Sequence, residues 1–134
     1  MDGLTDAEGA RAEWVFPAEP DAVRGARHAV QDALRARGVP VAVGEVAVLL
    51  VSELMTNSLR HASGPIGLRL TIRETGDLRV EVSDPLPDAP TARAPGPEDE
   101  GGRGIQLVAC SARRWGTRRG KTGKTVWFEL PLLG

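Results

Sequence analysis

Two runs of alternating apolar residues constrain this chain more than any other feature. Residues 66–73 carry an apolar side chain at every second position, and residues 78–83 repeat the pattern after the turn Thr75-Gly76-Asp77. Alternation with a period of two is typical of strands that bury one face. A short turn that contains glycine joins two such strands as a hairpin. The sequence therefore predicts a β-hairpin with one buried face.

Two helices are predicted before the hairpin. The first begins at residues 19–21, where proline and aspartate suit a first turn, and ends at Gly38. The second extends from about Val41 to His61 and keeps its apolar residues at helical spacing. A short strand, Arg11–Phe16, is predicted ahead of both helices, and residues 1–10 are expected to be a flexible N-terminus.

A long loop and a second strand pair are predicted after the hairpin. Residues 84–102 hold five prolines and no periodicity, and a loop of this length in a small domain is usually functional. A short helix is expected after Gly104, followed by strands at residues 115–118 and 124–130. Helices grouped between sequential strand pairs indicate an α+β fold. We expect residues 11–134 to form one domain, a two-layer sandwich in which helices cover one face of a mixed, mostly antiparallel sheet.

Composition limits the class of protein. The 134 residues include 17 basic and 18 acidic side chains, for a net charge of −1, which argues against a protein that coats nucleic acid. A single cysteine, Cys110, excludes an internal disulfide and is expected to be buried. Neither a membrane span nor a signal peptide is expected, which predicts a cytoplasmic protein. Residues 101–134 carry a net charge of +6, so this end could meet phosphates or an acidic partner.

Polar side chains lie beside the apolar stripe of the second helix. Glu53, Asn57 and His61 are four residues apart and therefore form one row along the helix. A carboxylate near the core needs a partner, a metal ion or a proton. Glutamate and asparagine oxygens suit Mg²⁺, which keeps several water or phosphate ligands. The alternative is that Glu53 and Asn57 are solvated and that His61 only closes the helix.

Two further segments have the chemistry of a ligand site. Asp84 ends a predicted strand and opens the long loop, so its carboxylate could accept hydrogen bonds from a ligand, although aspartate before proline also starts turns. Gly102 and Gly104 precede a predicted helix, where backbone N–H groups can face a phosphate. The alternative is a flexible joint between loop and helix.

The order and spacing of these segments resemble the Bergerat-type (GHKL) ATPases, which include histidine kinases, gyrase, Hsp90 and MutL. The resemblance rests on Glu53-x-x-x-Asn57-x-x-x-His61, on Asp84, on Gly102-x-Gly104 and on Thr125 in the final strand. Within that group the small size is similar to the anti-sigma-factor serine kinases of the RsbW and SpoIIAB type. The C-terminal residues 113–130 are much like the stand-alone actinobacterial members.

The resemblance implies an ATP site between the helices and the sheet. It implies that Asn57 is a ligand of Mg²⁺ and that Glu53 is the base that orients or deprotonates the attacking hydroxyl. It implies that Asp84 accepts from the adenine amino group and that Thr125 supports the adenine. By the same resemblance Gly102, Arg103 and Gly104 would contact the phosphates, and residues 85–101 would form a lid over the nucleotide.

The chain departs from the family pattern directly after Asp84. The usual Asp-x-Gly-x-Gly is replaced by Asp84-Pro85-Leu86-Pro87-Asp88, so both glycines are missing. The aspartate that would recognise adenine is retained, but the hinge of the lid is stiffer. Catalysis is therefore less secure than nucleotide binding.

The resemblance implies an ATP-dependent serine/threonine protein kinase that binds a sigma factor and phosphorylates an antagonist with a STAS domain, with a homodimer as a possible assembly. Two alternatives remain open. One is a non-catalytic module whose partner surface responds to nucleotide, which the missing glycines favour. The other is a nucleic-acid binder that uses the basic C-terminal end; balanced charge and few aromatic residues argue against direct nucleic-acid binding.

Overall fold

The structure is a computed structural model that describes residues 5–6, 9–61, 64–85, 108, 110–121 and 123–132. Two helices and six strands make up this part of the chain. In chain order they are β1 (Thr5–Asp6), β2 (Gly9–Phe16), α1 (Ala22–Ala36), α2 (Val41–His61), β3 (Ile66–Ile72), β4 (Asp77–Pro85), β5 (Arg114–Arg119) and β6 (Gly123–Pro131).

The strands form one sheet in the order β1-β2-β3-β4-β6-β5. Every pairing between described strands is antiparallel. The predicted hairpin is β3–β4, and its turn contains Gly76 at a φ of +92°, a conformation that suits glycine. The predicted α+β sandwich is confirmed, and in the described strands its sheet is antiparallel rather than mixed.

The helices cover one face of the sheet and bury a single core against it. Helix α1 ends before Gly38, which has a φ of +73°, as the sequence predicts. The core residues lie either on the buried side of α1 or α2 or at every second position of a strand. They include Ala26, Val30, Leu34, Leu50, Val51, Leu54, Leu68, Leu70, Val80 and Phe128. Val108, which follows the predicted loop in the sequence, is buried in the same core.

Helix α2 is also long and apolar enough to cross a membrane by length and composition, although no membrane span was expected from the sequence. In the fold, its apolar residues Leu50, Leu54 and Met55 are buried in the core. Helix α2 contacts α1 as well as strands β4 and β6, and an apolar composition suits a helix that meets apolar neighbours on more than one side.

The other face of the sheet carries charged residues. Glu129 is only 1% exposed and forms ion pairs with three guanidinium groups: Arg73 Nη1 at 2.6 Å, Arg79 Nη1 at 2.7 Å and Arg114 Nε at 3.2 Å. The guanidinium of Arg79 also lies 4.1 Å from the centre of the Trp127 ring. These contacts tie β3, β4, β5 and β6 together on the face that has no helices.

Three features of the described structure differ from what the sequence predicts. Cys110 is exposed, not buried. Within residues 1–10, expected to be flexible, the structure describes β1 and the start of β2 as a strand pair. Strand β4 continues through Asp84 and Pro85, which were predicted to begin the loop. This last difference is the most important, because it fixes the direction of the Asp84 side chain.

We predict that Glu129→Gln lowers the free energy of unfolding by about 2–3 kcal/mol, because three guanidinium groups lose their common carboxylate in a buried position. Chemical denaturation monitored by circular dichroism measures this loss. Glu13→Gln is the matched control: Glu13 pairs with Arg69 at 3.0 Å but is 50% exposed, so its loss should stay below about 1 kcal/mol. Equal losses in the two variants would contradict the assigned role of Glu129.

Candidate nucleotide site

The polar row of α2 lies at the edge of the core. Asn57 is only 8% exposed, Glu53 one turn earlier is half-buried, and His61 one turn later is exposed. The apolar neighbours Leu54 and Met55 are fully buried. The structure therefore places Asn57 and Glu53 beside each other on the inner side of α2 and leaves His61 in solvent.

The side-chain oxygen of Asn57 has no hydrogen-bond partner among the described residues, although it is buried. Buried polar atoms in folded proteins nearly always have a partner, so this oxygen is available to a ligand. A neutral amide oxygen is a ligand that Mg²⁺ accepts. The donor chemistry of Asn57 thus fits the metal ion that the sequence resemblance implies.

The second half of the site is the carboxylate of Asp84. Asp84 is 4% exposed, and its Oδ2 accepts a hydrogen bond of 2.8 Å from the hydroxyl of Ser58 on α2. Asp84 follows Leu78, Val80 and Val82 at alternate positions of β4, so its side chain points to the helices. The Ser58–Asp84 hydrogen bond joins the helix layer to the sheet next to Asn57.

Ser58 was not singled out from the sequence, although a signal was present. Leu50, Leu54 and Ser58 are spaced by four residues and therefore lie on one row of α2. The first two members are buried, so the hydroxyl of the third had to find a buried partner. The pattern predicts that a partner exists, but which residue supplies it depends on the packing of α2 against β4.

Thr125 is not brought together with Asp84. Its hydroxyl lies 2.7 Å from the hydroxyl of Ser83, and Ser83 is on the opposite side of β4 from Asp84. The register pairs Ser83 with Thr125 and Asp84 with Lys124. The residue of β6 directly opposite Asp84 is thus Lys124.

Strands β4 and β6 approach each other closely at this point. A Cβ atom on Gly123 would lie 2.5 Å from the backbone oxygen of Asp84, so only glycine fits there without a shift of the backbone. Pro85 in turn packs near Gly64, where a Cβ atom would lie 3.2 Å from Pro85 Cγ. Pro85, which occupies the variable position after the aspartate of the family pattern, therefore contacts the segment after α2.

A cavity of about 660 Å³ opens at this end of the sheet. Its lining includes Ser83, Arg118 and Thr125 from the face without helices as well as Asp84 and Lys124, but no described residue of α2. The other residues of the expected site, namely Gly102, Arg103, Gly104 and lid residues 86–101, lie outside the described residues. On the helix side of the sheet, the described part of the site consists of Glu53, Asn57 and Ser58 on α2 together with Asp84 on β4.

Residues 16–130 match the family described as "Histidine kinase-like ATPase domain". The chain belongs to this family. The match covers α1, α2 and strands β3 to β6 almost completely, and it confirms the ATPase resemblance that the sequence motifs indicated. A domain of this family binds ATP.

Two relatives share more than a third of their aligned residues with this chain. An uncharacterized Streptomyces coelicolor protein, SCO4941, is 38% identical over 84 residues, which are 59% of this chain and 79% of the relative. Blue-light-activated histidine kinase 2 of Erythrobacter litoralis is 36% identical over 101 residues, which are 70% of this chain but only 29% of the kinase. The chain thus spans less than a third of that histidine kinase.

Solved structures show the same fold. The RsbU and RsbW domains of Rv1364c from Mycobacterium tuberculosis superpose with a TM-score of 0.72 at 17% identity, over 90% of this chain and 32% of that one. The Erythrobacter litoralis EL346 blue-light activated histidine kinase gives a TM-score of 0.56 at 35% identity, over 70% of this chain and 32% of that one. The Bergerat-type, RsbW-like fold inferred from the sequence is thereby confirmed.

We predict that Ser58→Ala lowers the free energy of unfolding by about 1–2 kcal/mol, because the buried carboxylate of Asp84 loses its only donor among the described side chains. Thr56→Ala on the same helix is the control, since the Thr56 hydroxyl is exposed and bonds only the carbonyl of Ser52. Its effect should stay within about 0.5 kcal/mol. Denaturant titration measures both. A Ser58→Ala variant as stable as the control would show that the hydrogen bond between the layers contributes nothing.

Proposed function

We propose that this chain is a cytoplasmic, ATP-dependent serine/threonine protein kinase of the anti-sigma-factor type. It would bind a sigma factor and transfer the γ-phosphate of ATP to an antagonist with a STAS domain. The observation that carries the proposal is the buried, unpartnered Asn57 oxygen, with Glu53 one turn away and Asp84 held across the site by Ser58. The kinase part of the proposal uses all three side chains.

Each side chain has a separate task in the proposed reaction. Asp84 accepts from the exocyclic amino group of adenine and so fixes one end of the nucleotide. Asn57 would hold Mg²⁺, which neutralises charge on the phosphates when bound. Phosphoryl transfer depends mostly on positioning and electrostatics, so the rigid placement of Asn57 and Asp84 on two packed layers matters more than their basicity.

Glu53 is the residue that the proposal makes catalytic. Its carboxylate is half-buried and has no hydrogen bond or ion pair with the described residues. It is therefore free to accept a hydrogen bond from the hydroxyl of a serine or threonine substrate. A base of this kind must lie within hydrogen-bond reach of the attacking hydroxyl, and its usual contribution is about 10²–10⁴-fold in rate.

Fold similarity and the order of the sequence motifs support the anti-sigma part of the proposal. The RsbU and RsbW domain structure resembles this chain in fold at 17% identity, and the sequence motifs match the RsbW and SpoIIAB type in order and spacing. The related Erythrobacter protein is a histidine kinase, in which the chain corresponds to less than a third of the length. The identity of the phosphate acceptor therefore follows from motif resemblance and needs a direct assay.

A non-catalytic binding module is the second candidate, and Pro85 is the observation that favours it. Proline fixes φ and removes a backbone donor, and here it packs near Gly64 directly after the aspartate of the site. Leu86 and Asp88 stand where the family pattern has glycine, so the chain has less conformational freedom directly after Asp84 than the family pattern provides. Nucleotide would then change the partner surface without transfer of phosphate.

We predict that Glu53→Gln binds Mg-ATP within about twofold of wild type but transfers phosphate at least about 100-fold more slowly, because the amide cannot accept the proton of the hydroxyl. Titration calorimetry measures binding, and γ-labelled ATP with a purified STAS-domain antagonist measures transfer. Glu45→Gln, at an exposed position of the same helix, is the matched control and should keep both properties.

Unchanged transfer in Glu53→Gln would remove the catalytic role of Glu53. Wild-type protein that binds ATP and a partner but transfers no label would favour the non-catalytic module. Label on a histidine, recognised by its lability to acid, would contradict the serine/threonine assignment and point to histidine-kinase chemistry.

A further inference from the structure

On the helix side of the sheet, the residue of β6 that lies opposite Asp84 is Lys124 rather than Thr125. Thr125 bonds Ser83 on the face without helices. Lys124, one residue earlier, therefore lies on the helix side, opposite Asp84 in the register of the two strands. Residues directly opposite each other on one face of an antiparallel pair have Cβ atoms about 4.5–5.5 Å apart.

Asp84 and Lys124 offer complementary hydrogen-bonding groups on the helix side of the sheet. Ser58 occupies Oδ2 of Asp84, which leaves Oδ1 as an acceptor. The ammonium of Lys124 supplies donors, and among the described residues no carboxylate, that of Asp84 included, pairs with it. Because the two residues are partners in the strand register, a ligand that lies against Asp84 is within reach of the Lys124 side chain.

This pair changes which purine the site can accept. A carboxylate alone suits the 6-amino group of adenine and repels O6 of guanine. With an ammonium beside it, O6 gains a donor, while the carboxylate accepts from N1–H of guanine. Lysine donation to guanine O6, and carboxylate acceptance from a base amino group, are both established modes of base recognition.

We propose that Lys124 is a specificity-determining residue that lets the site bind guanine nucleotides as well as adenine nucleotides. This inference rests on the proposed function, because it takes the base to lie against Asp84. Lys124 acts on the base alone, so the tasks of Glu53 and Asn57 at the phosphates are unchanged. The register of β4 and β6, rather than any motif, carries the assignment.

Titration calorimetry with Mg-ATP and Mg-GTP tests the proposal on wild type and three variants. In wild type the two dissociation constants should agree within about tenfold. In Lys124→Met the ratio of the GTP constant to the ATP constant should rise at least about tenfold, the effect of one lost charge-assisted hydrogen bond. Lys124→Arg keeps a cationic donor and should keep the ratio near that of wild type.

Lys121→Met is the control for general charge. Lys121 is exposed in the turn between β5 and β6 and does not line the cavity, so its loss should weaken both nucleotides equally and leave the ratio unchanged. The ratio of the GTP and ATP dissociation constants reports only on the base, because the phosphates are the same in both ligands. Thermal melts of each variant confirm that the protein titrated is folded.

The outcomes separate this inference from the proposed function. Wild type that binds ATP more than about 100-fold tighter than GTP, or a ratio that Lys124→Met does not change, overturns the role of Lys124 and leaves the kinase proposal intact. Folded wild type that binds neither nucleotide overturns the proposed function, and the role of Lys124 with it.

Discussion

Helix α2 has to bury an apolar stripe against the sheet and keep polar groups on the border of that stripe. Leu50, Leu54 and Met55 supply the burial, and each contributes on the order of 1.5–3 kcal/mol. Because the same packing fixes the height and rotation of the helix, it also fixes where Asn57 and Ser58 face the sheet. The Ser58–Asp84 hydrogen bond locks this arrangement. The site is therefore a consequence of the core and shares its rigidity.

The fold could be predicted from the sequence because each element carries its own periodic signal. Alternation in residues 66–83, helical spacing in α2 and glycine at positions 38 and 76 all report local structure, and local structure needs no knowledge of distant contacts. Asn57 and Asp84 could be singled out by the order and spacing of the motifs, because each residue taken alone also has an ordinary structural interpretation.

What the sequence could not supply was the pairing of distant side chains. Ser58 and Asp84 are 26 residues apart, and only the docking of α2 on β4 brings them together. Thr125 has the residue type expected beside a base, but a shift of one residue along a strand moves a side chain to the other face of the sheet. The register that puts Lys124 opposite Asp84 depends on the close approach at Gly123. Motif spacing alone does not contain that information.

The account depends most directly on Asp84 as the residue that recognises adenine, and calorimetric titration of wild type and Asp84→Asn with Mg-ATP tests it. Asparagine keeps the shape of the side chain and an acceptor for Ser58, but it turns a donor toward the adenine amino group. We expect wild type to bind and Asp84→Asn to lose at least about tenfold in affinity while it stays folded. Equal affinities of the two proteins for ATP, or no binding by folded wild type, would contradict the account.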